Sequence, residues 1–353
     1  GNSASASALP YTIEEEVEPC TRNGSNGWAI HNGARKSDGL RVSVFKASKP
    51  NLLQTPVSSG SNYFAGYSGG SMTVGKTKVD PNSQFFPALH HFTKIKTLVH
   101  PHILKAYATL DTDDASSATG GGAQSNTPTP ATGIVAAGMP GCGTTGDFII
   151  VTEEVMPLSK WLDQVARSDD MNDMDIYNGI AWGLSCIIQG LSFLHTNAKL
   201  AHAAISPDSI FVTPGGDFKI GYFGLLSPIG SDDHNGQAAA IAEYFKMYEG
   251  NLCPAAYRSP ERVNGEHNFI LHSLPPHVMD SYSLGEFLEH IYGCVGNGKL
   301  PDKLVKAVSR LKTRSATQRP RVGPLMRCPV FDVPLVKSMA FLDEIHVKPA
   351  EEK

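Results

Sequence analysis

The stretch from His202 to Gly224 constrains this chain more than any other. It reads His202-Ala203-Ala204-Ile205-Ser206-Pro207-Asp208-Ser209-Ile210-Phe211 and, after a short interval, Lys219-Ile220-Gly221-Tyr222-Phe223-Gly224. His202, Ile205, Pro207, Ile210, Phe211, Phe223 and Gly224 are the positions that pack, and its carboxylates are Asp208 and Asp217. Apolar stripes at helical spacing flank it: Ile176, Ile180, Leu184, Ile188, Leu191 and Leu194 before, and Leu284, Phe287, Leu288, Ile291 and Val295 after. Stripes of this kind are core. With 353 residues, 41% of them hydrophobic, the chain has the apolar surface for a large core around this segment.

The spacing and apolar positions of the stretch resemble the protein-kinase signature H-R-D-L-K-P-x-N-[IV]-L followed by K-I-x-D-F-G. Three later segments extend the resemblance. Tyr257-Arg258-Ser259-Pro260-Glu261 resembles Y-R-A-P-E, and Asp280-Ser281-Tyr282-Ser283-Leu284-Gly285 resembles D-V-W-S-L-G. Gln318-Arg319-Pro320 resembles the R-P whose Arg pairs with the Glu of A-P-E. The resemblance implies an α+β, two-lobed kinase-like fold, a small β-rich lobe with one helix and a larger helical lobe, in which Glu261, Asp280 and Arg319 are scaffold residues.

The chemistry of the signature is not kept. Ala204 stands at the catalytic Asp, Ser206 at the loop Lys, Ser209 at the metal-holding Asn and Tyr222 at the Asp of D-F-G. Val42-Ser43-Val44-Phe45 resembles V-A-I-K and puts Phe45 at the phosphate-binding Lys. Lys46 is one residue on, which in a strand turns it to the opposite face. His100-Pro101-His102-Ile103-Leu104 resembles the H-P-N-I turn, and the acidic partner of the strand Lys falls at His91. Phosphoryl transfer rests on positioning and on metal-borne charge neutralisation, so losing the base and both metal ligands removes its main electrostatic support. The alternative is a divergent ATP-binding kinase or nucleotide sensor that uses Lys46, Asp208 or Asp217 instead.

Along the chain, residues 1–22 read as a flexible leader. A small lobe follows over 23–152, with strands at Trp28 to Ile30 and Leu40 to Lys46 joined by a turn at Lys36-Ser37-Asp38-Gly39. Composition makes 50–84 a mobile inserted loop and 113–146 a second, low-complexity insertion. Leu89, Phe92, Ile95 and Val99 recur at helical spacing between them. No G-x-G-x-x-G joins the first strands; the literal one, Gly141 to Gly146, ends the second insertion and is a chance match. After the strand Phe148 to Val151, Thr152-Glu153-Glu154-Val155 resembles the gatekeeper and hinge, where backbone groups meet an adenine ring. Residues 153–328 form the large lobe and 329–353 a linker.

A net charge of -4 and a pI near 6.4 offer no basic field for nucleic acid or anionic lipid. Cys20, Cys142, Cys186, Cys253, Cys294 and Cys328 are widely spaced with no C-x-x-C, as in a reduced cytosolic protein. His90, His91, His100 and His102 lie close together, but no Cys or carboxylate completes a ligand set, so neither metal nor cofactor is expected.

This pattern, with the tail Phe341-Leu342-Asp343-Glu344-Ile345-His346-Val347-Lys348, resembles the SCY-like family, also called N-terminal-kinase-like proteins. The resemblance implies a pseudokinase scaffold or adaptor of secretory and endosomal trafficking, a HEAT-repeat region beyond the kinase-like domain, and partners among vesicle-coat or trafficking proteins. It places the protein in the cytoplasm, on the cytosolic face of Golgi or endosomal membranes. Gly1-Asn2-Ser3-Ala4-Ser5, after removal of an initiator Met, satisfies M-G-x-x-x-[ST], the N-myristoylation signal. Glu14, Glu15, Glu16 and Glu18 provide no basic help, so one acyl chain tethers only reversibly. Co-expression with an N-myristoyltransferase is expected to add one acyl mass, and Gly1→Ala to prevent it; an unmodified native N-terminus would refute the lipid expectation.

Overall fold

The computed structural model describes residues 9–17, 27–54, 72–74, 77–79, 83–112, 146–167, 173–228, 237–295 and 298–339. In chain order the small lobe holds β1 (Tyr11–Val17), β2 (Ala29–Arg35), β3 (Arg41–Ser48), helix α1 (Lys49–Gln54), β4 (Met72–Val74), β5 (Thr77–Val79), helix α2 (Phe85–Lys94), β6 (Ala106–Asp111) and β7 (Asp147–Glu153). Five of these strands form an antiparallel sheet in the order β1-β2-β3-β7-β6. β3 is paired on both sides, and its alternation sets two faces. Val42 and Val44 join Tyr11, Ile149 and Val151 in a small cluster on one face, while Phe45 and Ala47 enter the main core with Phe148 and Ile150. Lys46 falls on the Val44 side and meets Asp147 at 3.2 Å.

Several boundaries differ from those the composition suggests. Tyr11–Val17 belongs to the sheet rather than to a flexible leader: Tyr11 and Val17 are buried, and Glu14 pairs with Arg41 at 2.8 Å. Residues 50–84 are not all loop, since they include α1 and the β4–β5 hairpin. Leu52 anchors α1 in the core, and the buried ammonium of Lys49 pairs with Asp111 over the Phe148 ring. Helix α2 is driven inward by Phe85, Phe86, Ala88 and Phe92 and ends at Lys94, so Val99 lies beyond it and is 83% exposed. At the other end, Val330, Phe331 and Val336 pack into the core, so the expected linker does not begin at 329. Most of 113–146 and all of 340–353 lie outside the described residues.

The large lobe contains β8 (Met156–Pro157), α3 (Leu158–Ala166), α4 (Asp173–Phe193), β9 (Leu200–Ala201), β10 (Ile210–Val212), β11 (Phe218–Ile220), β12 (Ser227–Pro228), α5 (Gln237–Leu252), α6 (Pro260–Val263), α7 (His267–Ser273), α8 (His277–Cys294) and α9 (Asp302–Leu311). Ile180, Leu184, Ile187, Ile188 and Leu191 make α4 the central helix of this lobe, and each such burial contributes roughly 1.5–3 kcal/mol. Gly183 lets the Phe218 ring of β11 lie against α4, because a Cβ there would stand 2.5 Å from the ring. Strands β8, β10 and β11 form the small sheet that carries the His202–Gly224 segment up to the junction of the lobes.

Glu261, on α6, and Arg319 meet as a forked pair at 2.5 and 2.7 Å. The guanidinium also donates to the carbonyls of Thr313, Val278 and Arg314, so its five N–H groups are all used. Ser259 Oγ donates to Glu261 at 2.6 Å, and Tyr282 lies 5.1 Å from the guanidinium. The pair is buried, so Glu261→Ala strands a charge at a cost of about 3–5 kcal/mol. Urea unfolding is expected to show that loss for Glu261→Ala and a much smaller one for Asp208→Ala; equal losses would contradict this account of the pair.

Candidate functional site

The His202–Gly224 segment is held from below by one carboxylate. Asp280, on α8 and wholly buried, accepts from His195 Nε2 at 2.9 Å and from the backbone N–H groups of His202 and Ala203 at 2.8 and 2.7 Å. Burial works to raise the Asp280 pKa, but the His195 and His202 donors outweigh it and hold the carboxyl below its usual range. These bonds keep Ala203 at φ 62°, in the left-handed region that costs a non-glycine residue roughly 1–2 kcal/mol. His202 Nε2 donates to the Gly221 carbonyl at 2.8 Å while its Nδ1 accepts from Ala204 N–H at 3.2 Å. The loop is thereby tied to the turn that carries Tyr222.

The residues at the catalytic positions meet as a packed cluster. Phe45 of β3 sets its ring edge-on to Phe211 at 5.2 Å and to Tyr222 at 6.1 Å, and Phe211 and Tyr222 lie 5.2 Å apart. Gly221 makes room for this, since a Cβ there would stand 2.6 Å from the Phe211 ring. Tyr222 adopts φ 54°, and the next residue, Phe223, donates its N–H to His91 Nδ1 at 3.1 Å. His91, on α2, thus joins the two lobes through a neutral ring with Trp28, Tyr222 and Phe223 around it. Its Nε2 has no hydrogen-bond partner among the described residues, and His91 lines a cavity of about 20 Å³ with Trp28, Pro87, Ala88, Tyr222, Gly224 and Leu252. That is room for about one water molecule.

Ala204 is buried and donates only through its backbone. Ser206 and Ser209 bond each other: Ser209 Oγ accepts from Ser206 N–H at 3.1 Å and donates to the Ser206 carbonyl at 3.0 Å. The hinge is also occupied from within. Ser43 Oγ accepts from Val155 N–H and donates to the Val155 carbonyl, both at 3.0 Å. Ser43 is fully buried, so the hinge groups that would face an adenine ring at this residue already have partners.

A second buried network, which the motifs did not point to, closes the segment from the outer side. Arg262 Nη2 donates to the Ala203 carbonyl at 2.6 Å, and its Nε pairs with Glu249 of α5. Glu249 also accepts from His267 of α7 at 2.6 Å. Burial works to raise the Glu249 pKa, yet Arg262 and His267 bring it below its usual range. Tyr244 fixes α5 further by donating to the Gly224 carbonyl at 2.8 Å. The one sequence signal for this was a second charge directly after Glu261.

No family model matches the chain. It is 24% identical over its whole length to a probable inactive serine/threonine-protein kinase scy1 of Dictyostelium discoideum, covering 34% of that protein. It is 23% identical, over 59% of its length and 29% of the relative, to the protein kinase-like protein SCY1 of Saccharomyces cerevisiae. The chain is thus similar to SCY1 and SCY1-like proteins. It spans about a third of the length of these relatives. The crystal structure of Cex1p superposes with a TM-score of 0.56 at 21% identity, over 99% of this chain and 48% of that one, and shares its fold. The two-lobed kinase-like architecture expected from the motifs is the architecture found.

In this chain the substitute residues have other partners. Lys46 pairs with Asp147, and Asp217 accepts from Trp182 Nε1 at 2.9 Å. Asp208 is half-buried, and burial raises its pKa. Lys219 ties the hinge to the loop below by reaching Glu153 at 3.2 Å and the Pro101 carbonyl at 2.7 Å. The four histidines do not converge: His90 donates to the Leu226 carbonyl at 2.8 Å, His100 stacks on Phe193 at 4.6 Å and His102 meets Trp182 edge-on. Among the described residues no group of His, Cys, Asp or Glu is placed to hold a metal, and no helix is long and apolar enough to cross a membrane. Gly1, Cys20, Cys142 and nearly all of Gly141 to Gly146 lie outside the described residues.

Burial pushes His91 down to about 3 and His90 down to about 4 from the ordinary 6.5. Both stay neutral in the fold while an unfolded chain protonates them below pH 6.5, so their contribution is complete above that pH and is lost as pH falls towards 4 and 3. At pH 5 each costs about 2 kcal/mol. Comparing stability at pH 7.5 and 5, wild type is expected to lose about 2 kcal/mol more than His91→Asn. An identical pH dependence in the two proteins would rule the effect out.

Proposed function

We propose that this chain is a catalytically inactive kinase-like domain that serves as a scaffold or adaptor. The observation that carries the reading is the filled cleft. Phe45, Phe211 and Tyr222 pack together where a kinase keeps its phosphate-binding Lys and its metal-binding Asp, and Ser43 takes the Val155 hinge groups. Ala204 and Ser209 leave the catalytic loop without its base and its second metal ligand. Buried aromatic contacts supply cohesion there, whereas phosphoryl transfer needs charge and an open cleft.

Support for a role in intracellular membrane trafficking comes from the resemblance of the motifs to the SCY-like family. On this reading the partners are trafficking or vesicle-coat proteins, the site of action is the cytosolic face of Golgi or endosomal membranes, and no nucleic acid is involved. The kinase fold then persists as a rigid body that presents surfaces to partners. ATP with magnesium is expected to leave the melting temperature unchanged, and radiolabelled ATP to yield neither autophosphorylation nor product on a generic substrate. Turnover that disappears in Asp208→Asn would overturn the reading in favour of a divergent enzyme.

A further inference from the structure

The near-neutral total conceals a strongly polar distribution of charge. Residues 299–337 hold 10 of the chain's 30 Lys and Arg but only 2 of its 34 Asp and Glu. Much of this charge lies on α9, whose Leu304, Val308 and Leu311 are buried while Lys303, Lys306 and Arg310 recur on the exposed side. The Cys328 thiol, 3.1 Å from the Lys303 carbonyl, brings the exposed Arg327 alongside. Three other cations of the segment have partners: Lys312 with Glu286 and Glu289, Arg319 with Glu261, and Lys337 with Asp332. Among the described residues none of Lys303, Lys306, Arg310 and Arg327 forms an ion pair. The nearby carboxylates are Asp302, in the first turn of α9, and Asp332, which is engaged by Lys337.

Fold stability does not account for this arrangement. Lys303, in the first turn of α9, opposes the helix dipole, and Lys306 and Arg310, four apart, repel; Arg310 alone sits in the last turn, where the dipole favours a cation. We infer that this face of α9 docks on an anionic phospholipid bilayer. An extended acidic peptide would need a groove or a sheet edge, whereas the exposed side of one helix is convex and meets a plane of negative charge. Lysine ammoniums on long stems suit such a diffuse counter-surface, and Val305, 50% exposed between Lys303 and Lys306, adds an apolar contact at the headgroup boundary.

The test uses the full chain without an acyl group, so that it is independent of Gly1. It is expected to cosediment with vesicles of phosphatidylcholine and phosphatidylserine but not with phosphatidylcholine alone, and to be released by salt. The K303E/K306E/R310E variant should lower partition about a hundredfold at an unchanged melting temperature. If that variant unfolds, the neutral pair K306Q/R310Q gives the readout, with a smaller loss of the same sign. Equal binding to both vesicle types, no binding to either, or binding that these variants do not weaken would overturn the inference. Binding to polyglutamate in place of the charged vesicles would also overturn it and assign the face to an acidic protein segment.

Discussion

Asp280 is the contact on which the site depends. One buried carboxylate accepts from a side chain of the preceding helical segment and from two consecutive backbone N–H groups of the loop, in a setting where an unpaired charge would cost several kcal/mol. The left-handed turn at Ala203 becomes affordable because both ends of its peptide geometry are held, from beneath by Asp280 and through its carbonyl by Arg262. Nothing in this clamp requires a catalytic residue. The shape of the loop is therefore separable from the residue types at Ala204, Ser206 and Ser209.

What replaces the chemistry is a different way of satisfying the same space. An ion pair and a metal site in a cleft must be hydrated or fully paired, and apolar groups of similar volume are often neutral or stabilising in their place. Phe45, Phe211 and Tyr222 form such a replacement, with edge-to-face contacts worth about 0.5–1.5 kcal/mol each beyond burial. His91 completes it by turning the former charge position on α2 into a hydrogen-bond acceptor for Phe223. These aromatic and histidine contacts join the lobes across the cleft without charge, beside the ion pair of Lys219 with Glu153.

The parts of this structure legible in the sequence are those with a period or a fixed spacing. Helices α4 and α8 follow from their apolar stripes, and the meeting of Glu261 with Arg319 follows from two short motifs. Strand β1 was hidden because its three consecutive Glu look like a solvated leader, while only Tyr11 and Val17 are buried. The Lys49–Asp111 pair and the Glu249–Arg262–His267 network join residues that share no local pattern, so tertiary pairing alone creates them. Ser43 was passed over for a related reason: a small polar residue in a strand signals nothing until its bond partner, 112 positions later, is in place.

That serine also bears on whether inactivity in such a fold is reversible. A lost catalytic Asp or Lys is one substitution from return, and an open cleft would let selection act on each return separately. Here a carboxylate restored at Tyr222 would enter a space shared with Phe45 and Phe211, in a domain whose Val155 hinge groups are already engaged by Ser43. That single reversion would bury an unpaired charge. On the proposed scaffold reading, the internal bond between Ser43 and Val155 works as a ratchet that opposes a return to catalysis and leaves the outer surfaces as the part free to vary.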